Sequence, residues 1–303
     1  MAENKPLVLS LGELLWDMLP GGKRAGGAPV NFIYHATQNG ADGYSISAVG
    51  EDALGDELVK ACEDAGIKSI IQRNGWNTGT VAVALKNGQP EYTIVKNVAW
   101  DHIVLTKSLI DLVTKADAIC FGTLGLRSPE SHDTIVELLK HAKPGAMKYF
   151  DINIRGDHYS RDLIDELLKL ATVFKINDAE LPLVQDLFDI RGTSEAEAAK
   201  WFIEQYNLDY VILTAGDSYS TVTARTGETS TINTPRVEVA DTVGAGDSFS
   251  GRFTIEILKG ASLTEAHKDA VNTAAFVCTR DGAWPEYPAD GIPDYVAAAE
   301  ATA

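Results

Sequence analysis

Short apolar runs separated by amphipathic stretches recur through most of the 303-residue chain, and this alternation restricts the fold more than any other feature. Residues 7–11, 118–121, 172–176 and 210–213 are largely apolar and of strand length. Such runs suit parallel strands buried on both faces, since a strand with one wet face alternates apolar and polar residues. Between them, residues 53–65, 131–141, 163–170 and 196–205 carry helical spacing. Strands alternating with helices predict a doubly wound α/β layer with right-handed crossovers. Hydrophobic residues make up 45% and charged residues 23%, as expected of a soluble globular chain with a sizeable core. No apolar run approaches the roughly 20 residues that cross a bilayer.

One region breaks the rhythm. Residues 80–85 and 91–96 read as two strands around an Asn87-Gly88 turn, a strong hairpin signal. Residues 14–18 and 23–27 read as further short strands. Neither pair fits a helix-covered parallel sheet, so together they predict a small accessory sheet. A helix is expected to fray out over residues 295–303.

The net charge of −17 excludes a nucleic-acid surface, which needs a basic face, but leaves room for a nucleotide held by local N–H groups and a few cations. The cysteines, Cys62, Cys120 and Cys278, are few, odd in number and far apart. They predict neither a disulfide framework nor a zinc site, and point to a reducing cytoplasm. The start, with only a short apolar run, is not expected to be a signal peptide.

The segment D-T-V-G-A-G-D-S-F-S-G at 241–251 carries the most chemistry. A strand is expected to end near Val239 ahead of it, and residues 249–258 read as an apolar helix. Gly244, Ala245 and Gly246 let the backbone approach a ligand closely, and N–H groups at a helix start favour an anion. Asp247 would repel that anion. It makes sense as the group that takes a proton from a hydroxyl attacking a phosphate; the plain alternative is an ordinary acid on the first turn of a helix. Other motifs fail: a dinucleotide fingerprint needs glycine where Phe249 stands, a Walker A loop needs glycine at Asp17 and Ser or Thr at Arg24, and a nucleophile elbow needs glycine at Ser250.

This segment resembles the C-terminal signature of the ribokinase-like (PfkB) sugar kinases, D-T-x-G-A-G-D-x-F. G-G-A-P-V-N at 26–31 and G-E-D-A-L-G at 50–55 resemble the N-terminal signature. The resemblance runs from about residue 7 to about residue 287. It implies a single ribokinase-like domain over residues 1–303, with a three-layer, doubly wound, mostly parallel sheet. A small β-sheet lid would be inserted at about residues 14–27 and 80–96.

The resemblance also implies roles for residues. Asp247 would be the general base, and Gly244, Ala245 and Gly246 the anion hole for the transferring phosphoryl group. Asp17 would grip two sugar hydroxyls, with Gly26, Gly27 and Asn31 beside it. D-I-N-I-R at 151–155 is similar to a fructokinase segment, and Arg155 would reach phosphate oxygens or a sugar hydroxyl; a surface ion pair is the alternative. Asn177 and Glu180 would act on Mg2+ and phosphate through water, and their spacing equally suits a capped helix start. Thr214 and Gly216 would contact ATP, although Asp217-Ser218-Tyr219 departs from the expected glycine-rich continuation. Asn272 matches a nucleotide-pocket position. Asp241, Val243 and Gly282 would hold K+ through backbone carbonyls.

The implied activity is an ATP-dependent sugar kinase, with fructose the acceptor on resemblance and 2-keto-3-deoxygluconate or ribose the alternatives. A non-catalytic sugar-binding regulator on the same fold and a nicotinamide dehydrogenase are the rival classes. The implied partners are a sugar, ATP and a second copy of the chain paired through the lid, with no nucleic acid or membrane.

Overall fold

The computed structural model describes residues 5–19, 21–86 and 89–301. Its strands are β1 (Leu7–Leu11), β2 (Leu15–Leu19), β3 (Gly22–Gly26), β4 (Asp42–Gly50), β5 (Lys68–Asn74), β6 (Gly79–Lys86), β7 (Gln89–Ile94), β8 (Ala118–Phe121), β9 (Met147–Asp151), β10 (Val173–Asn177), β11 (Tyr210–Ala215), β12 (Tyr219–Ala224) and β13 (Thr229–Asn233). Its helices are α1 (Ala28–Gln38), α2 (Ala53–Asp64), α3 (Lys107–Val113), α4 (Pro129–Lys140), α5 (Arg161–Leu170), α6 (Leu181–Leu187), α7 (Glu195–Tyr206), α8 (Ala245–Leu258), α9 (Leu263–Cys278) and α10 (Tyr295–Glu300).

Nine strands form one sheet in the order β13-β12-β11-β10-β9-β8-β1-β4-β5, parallel except for the pairs β11–β12 and β12–β13. Successive residues of its central strands enter opposite cores. Leu9, Leu11, Ile119, Phe121, Phe150 and Phe174 pack with residues of α3–α7 such as Ile135, Leu167 and Phe202. Val8, Cys120, Tyr149 and Ile212 pack with residues of α1, α2, α8 and α9 such as Phe32, Leu58 and Phe253. This is the expected three-layer arrangement, in which each strand must be apolar on both faces. From β1 the chain runs outward one way through β4 and β5, then outward the other way from β8. The reversal leaves a crevice beyond the carboxyl ends of β1 and β8, where open α/β sheets place their ligands.

A second sheet, in the order β3-β2-β6-β7, joins the two short-strand regions. β2 pairs parallel with β6, whereas β2–β3 and β6–β7 are antiparallel. The expected Asn87-Gly88 turn lies outside the described residues. Trp16 is buried and donates its Nε1–H to the Leu54 carbonyl at 3.0 Å, fastening the small sheet to α2.

Two expectations need correction. No strand ends near Val239: β13 stops at Asn233, and residues 234–239 run irregularly with Val239 59% exposed. Pro235 lacks the N–H a ladder would use. The helix after the glycine-rich segment begins at Ala245 rather than at 249, which puts Asp247 within its first turn. Gly251 allows α8 to lie against α1, because a Cβ there would come within 2.9 Å of the Phe32 carbonyl oxygen.

Candidate active site

Gly244 caps α8 in the left-handed conformation, φ 79°. A Cβ at this position would also fall 2.8 Å from that of Ala283, so both torsion and space require glycine. The Ala245 N–H donates to the Thr242 carbonyl, and the first intrahelical bond runs from the Ser248 N–H to the Gly244 carbonyl. The N–H groups of Gly246 and Asp247 therefore have no intrahelical carbonyl and stand at the positive end of the helix dipole.

Asp247 lies beside these donors. Its Oδ2 accepts from Asn31 Nδ2 at 2.8 Å, and Asn31 Oδ1 accepts from Trp284 Nε1 at 2.8 Å. The indole can only donate, so it fixes which end of the Asn31 amide faces Asp247. Burial first, and then the neighbouring Asp151 carboxylate, push the Asp247 pKa to about 6, against the opposing pull of Asn31, Lys175 and Arg155.

A buried ion pair stands behind the helix start. Lys175 Nζ donates to Asp151 Oδ2 at 2.7 Å, and both side chains are almost fully enclosed. Burial opposes the charge on Lys175, but Asp151, Asp247 and Glu180 outweigh it and hold its pKa above the ordinary value. A Cβ on Gly246 would lie 3.4 Å from Lys175 Nζ, so the cation sits directly behind the proposed anion hole. Charges within the short apolar runs V-F-K-I-N and M-K-Y-F-D were the available signal for these two residues.

The acceptor side converges on the same place. A Cβ on Gly26 would lie 3.0 Å from Asp17 Oδ2, so the two residues are close neighbours; Gly27, φ 125°, requires glycine, since a Cβ there would meet the Glu13 carbonyl oxygen at 2.4 Å. Burial raises the Asp17 pKa, and Arg155 draws it back. Arg155 is exposed, donates to the Ile154 carbonyl at 3.0 Å, and acts electrostatically on Glu13, Asp17 and Asp247 together. The cleft beyond β1 and β8 is lined by Glu13, Phe32, Thr123, Asp151, Asn153 and Asp247, among others. Asn153 holds a left-handed backbone, φ 40°, which asparagine tolerates better than most residues.

The nucleotide-side candidates follow the carboxyl edge of β10 and β11. The Glu180 N–H donates to Asn177 Oδ1 at 2.9 Å, and Glu180 Oε2 accepts from the Asn177 N–H at 3.0 Å. Glu180 Oε1 accepts from the Ile154 N–H at 2.7 Å, tying the Arg155 loop to β10. The helix starts about one turn later than that spacing predicts: α6 begins at Leu181 with Pro182 inside its first turn, and the reciprocal Asn177–Glu180 bonds close the turn ahead of it. Thr214 is the penultimate residue of β11 and its carbonyl accepts from the Asp178 N–H; Gly216, φ 51°, turns the chain toward β12. Asn272 is committed elsewhere, donating to Asp294 Oδ1 and accepting from the Val296 N–H, which anchors α10.

Asp241 accepts from the N–H groups of Val243 and Gly282 and from Arg24 Nη1 at 2.8 Å. Burial pushes its pKa up, but these donors hold it below the ordinary range. With its carboxylate so engaged, a cation here would rely on the main-chain carbonyls of Asp241, Val243 and Gly282. Among the described residues no three His, Cys, Asp or Glu side chains are grouped to hold a metal.

Residues 18–290 match the pfkB family of carbohydrate kinases. The chain belongs to that family. Fructokinase-1 of Zea mays is 25% identical, over 96% of this chain and 97% of its own length. A fructokinase of Xylella fastidiosa with bound ATP superposes with a TM-score of 0.80 at 22% identity, covering 93% of this chain and 95% of that one. A structure from E. coli provisionally described as ribokinase II, holding ATP and Mg2+, reaches a TM-score of 0.78 at 22% identity over 95% and 96% of the two chains. The pfkB member described here thus shares the ribokinase-like fold with these kinases. Among its described residues no helix is long and apolar enough to cross a membrane.

Proposed function

We propose that the chain transfers the γ-phosphoryl group of ATP to a hydroxyl of a free sugar, with D-fructose as acceptor and fructose 6-phosphate as product. One observation carries this reading: the Asp247 carboxyl, hydrogen-bonded to Asn31, stands at a helix start whose Gly246 and Asp247 N–H groups lack intrahelical partners. This supports reading Asp247 as a base beside an anion site, the pairing that phosphoryl transfer to a hydroxyl needs.

In this mechanism Asp17 and Asn31 orient the sugar, and Asp247 removes the proton from the attacking hydroxyl. The N–H groups at the start of α8, with Lys175 behind them, stabilise charge on the transferring oxygens. Asn177 and Glu180 would position the hydration of Mg2+, which, when bound, neutralises phosphate charge. Fructose is favoured by the relatives named fructokinase and by G-E-L-L-W-D at 12–17 and D-I-N-I-R at 151–155.

The test is ADP release with fructose, ribose, 2-keto-3-deoxygluconate and nucleosides as acceptors. Fructose should give the highest kcat/KM, and release with none of them would sink the kinase reading. A K+ ion at the carbonyls of Asp241, Val243 and Gly282 belongs to the same proposal. Activity should be higher in K+ than in Na+ or an organic cation at equal ionic strength, and equal rates would remove it.

A further inference from the structure

Glu13 has no role in the mechanism above, yet its position is unusual. It follows β1 directly, is 3% exposed, and lines the same cleft as Asp247 and Asp151. Its Oε2 is buried and has no hydrogen-bond partner. Leaving a buried polar atom unpaired costs free energy, so a ligand that pairs it recovers that cost on binding. The surroundings indicate which ligand. The Glu13 carbonyl oxygen packs on Gly27, where a Cβ would stand 2.4 Å away. That puts Glu13 against Gly27, one of the proposed sugar contacts.

We propose that Glu13 is a specificity residue for the acceptor sugar, entering as the neutral acid and donating its Oε2–H to a sugar oxygen. This rests on the sugar-kinase reading of the site. Asp17, Asp151 and Asp247 as carboxylates can only accept, while a sugar oxygen also presents lone pairs. Asn31 already gives one amide hydrogen to Asp247, Asn153 is only partly buried and Arg155 is exposed, so a buried acid proton would add a donor among these carboxylates. A neutral carboxyl supplies one.

The groups acting on Glu13 agree with a retained proton. Asp247 approaches from α8 and favours the proton; the N–H groups of Glu13 itself and of Ala28, and Arg155, act in the opposite sense. Asp151 from β9 and Cys120 from β8 line the same cleft, and Lys175 is already paired with Asp151. Burial dominates, and the Glu13 pKa is pushed up to about 7.

The experiment compares wild type, Glu13→Leu and Glu13→Gln for kcat, sugar KM and ATP KM from pH 5.5 to 9, with folding followed by circular dichroism. In wild type the sugar KM should rise above about pH 7, as the donor ionises. Leu should raise the sugar KM by roughly 10-fold or more with little change in ATP KM, the scale of one lost buried hydrogen bond. Gln keeps a donor that does not titrate, so it should recover much of that loss and flatten the alkaline rise. A folded Leu variant with wild-type sugar KM overturns the proposal. If Leu does not fold, a Gln variant that keeps the alkaline rise overturns it. A wild type that turns over no sugar removes both this inference and the kinase reading, whereas an active wild type with indifferent Glu13 variants removes this inference alone.

Discussion

At the scale of single residues, Asp247 links catalysis to stability. Asp247→Asn keeps the shape and the Asn31 neighbour but removes the base, so kcat should fall by about 10²–10⁴. The same change should raise the melting temperature at pH 8 by about 2–5 °C, since folding no longer encloses a carboxylate that would rather be protonated. A raised carboxyl pKa contributes stability below the unfolded value and loses it as pH rises through about 6, so the two proteins should converge near pH 4. Near-normal turnover, or a melting temperature lowered at pH 8, would contradict this account. Two neighbouring glycines separate torsion from space. Gly244→Ala must hold φ near 79° and push Ala283 aside, so it should lose on the order of 1–2 kcal/mol of stability as well as activity. Gly246→Ala is helical and meets only Lys175 Nζ at 3.4 Å, so it should stay folded while kcat falls on the order of 10-fold. Equal melting losses in the two variants would refute the distinction. Asp247 and its glycines were legible in the sequence because their relation is local. The Asn31–Asp247 bond spans 216 positions, and only folding reveals it.

At the scale of elements, most strands and helices appeared within a few residues of where apolar spacing put them, since burial on two faces writes an unbroken apolar run. The polar alternation of β12, Y-S-T-V-T-A, and of β13, T-S-T-I-N, gives a weaker signal, and this antiparallel edge was missed. The four short strands of the small sheet were legible, but the parallel β2–β6 pairing that unites them was not, because register between distant strands leaves no local trace. That sheet carries Asp17 and meets the loop before α8 through the Arg24–Asp241 ion pair from β3. An ion pair with its arginine 49% exposed adds little stability. Its use as a latch between sugar-side sheet and anion site is the stronger expectation. Saturating sugar should slow hydrogen exchange in residues 15–26 and 79–86 while α7 stays unchanged. Arg24→Ala should weaken that protection and leave the melting temperature nearly as it was. Exchange in the small sheet that ignores sugar would rule out lid closure.

At the scale of the whole molecule, buried groups of opposite kinds offset one another in their response to pH. Glu13 and Asp247 have pKa values raised to about 7 and about 6, so between pH 7 and pH 4 the folded chain binds more protons at these sites than the unfolded one. Acidification therefore stabilises the fold through them. His35 and His267 do the reverse. Burial lowers them to about 3 and about 4; His35 Nδ1 is engaged by the Tyr287 hydroxyl, and the two ring nitrogens of His267 by Ser220 and Ser230. Below about pH 6.5 the unfolded chain takes up two protons that the folded chain refuses, and stability falls. Between pH 8 and pH 5 these two pairs oppose one another, which predicts a smaller change in melting temperature over that interval than either pair would give alone. The opposition itself can be tested by removing one side. In the Glu13→Gln, Asp247→Asn double variant the histidines act unopposed, so its melting temperature should start above wild type at pH 8 and decline from about pH 6.5 downward. The slope should approach roughly 1.4 kcal/mol per pH unit for each proton no longer balanced. A double variant that declines no more steeply than wild type down to pH 5 would mean that the two acids do not retain protons in the folded chain. The neutral Glu13 required for sugar recognition would fall with that result.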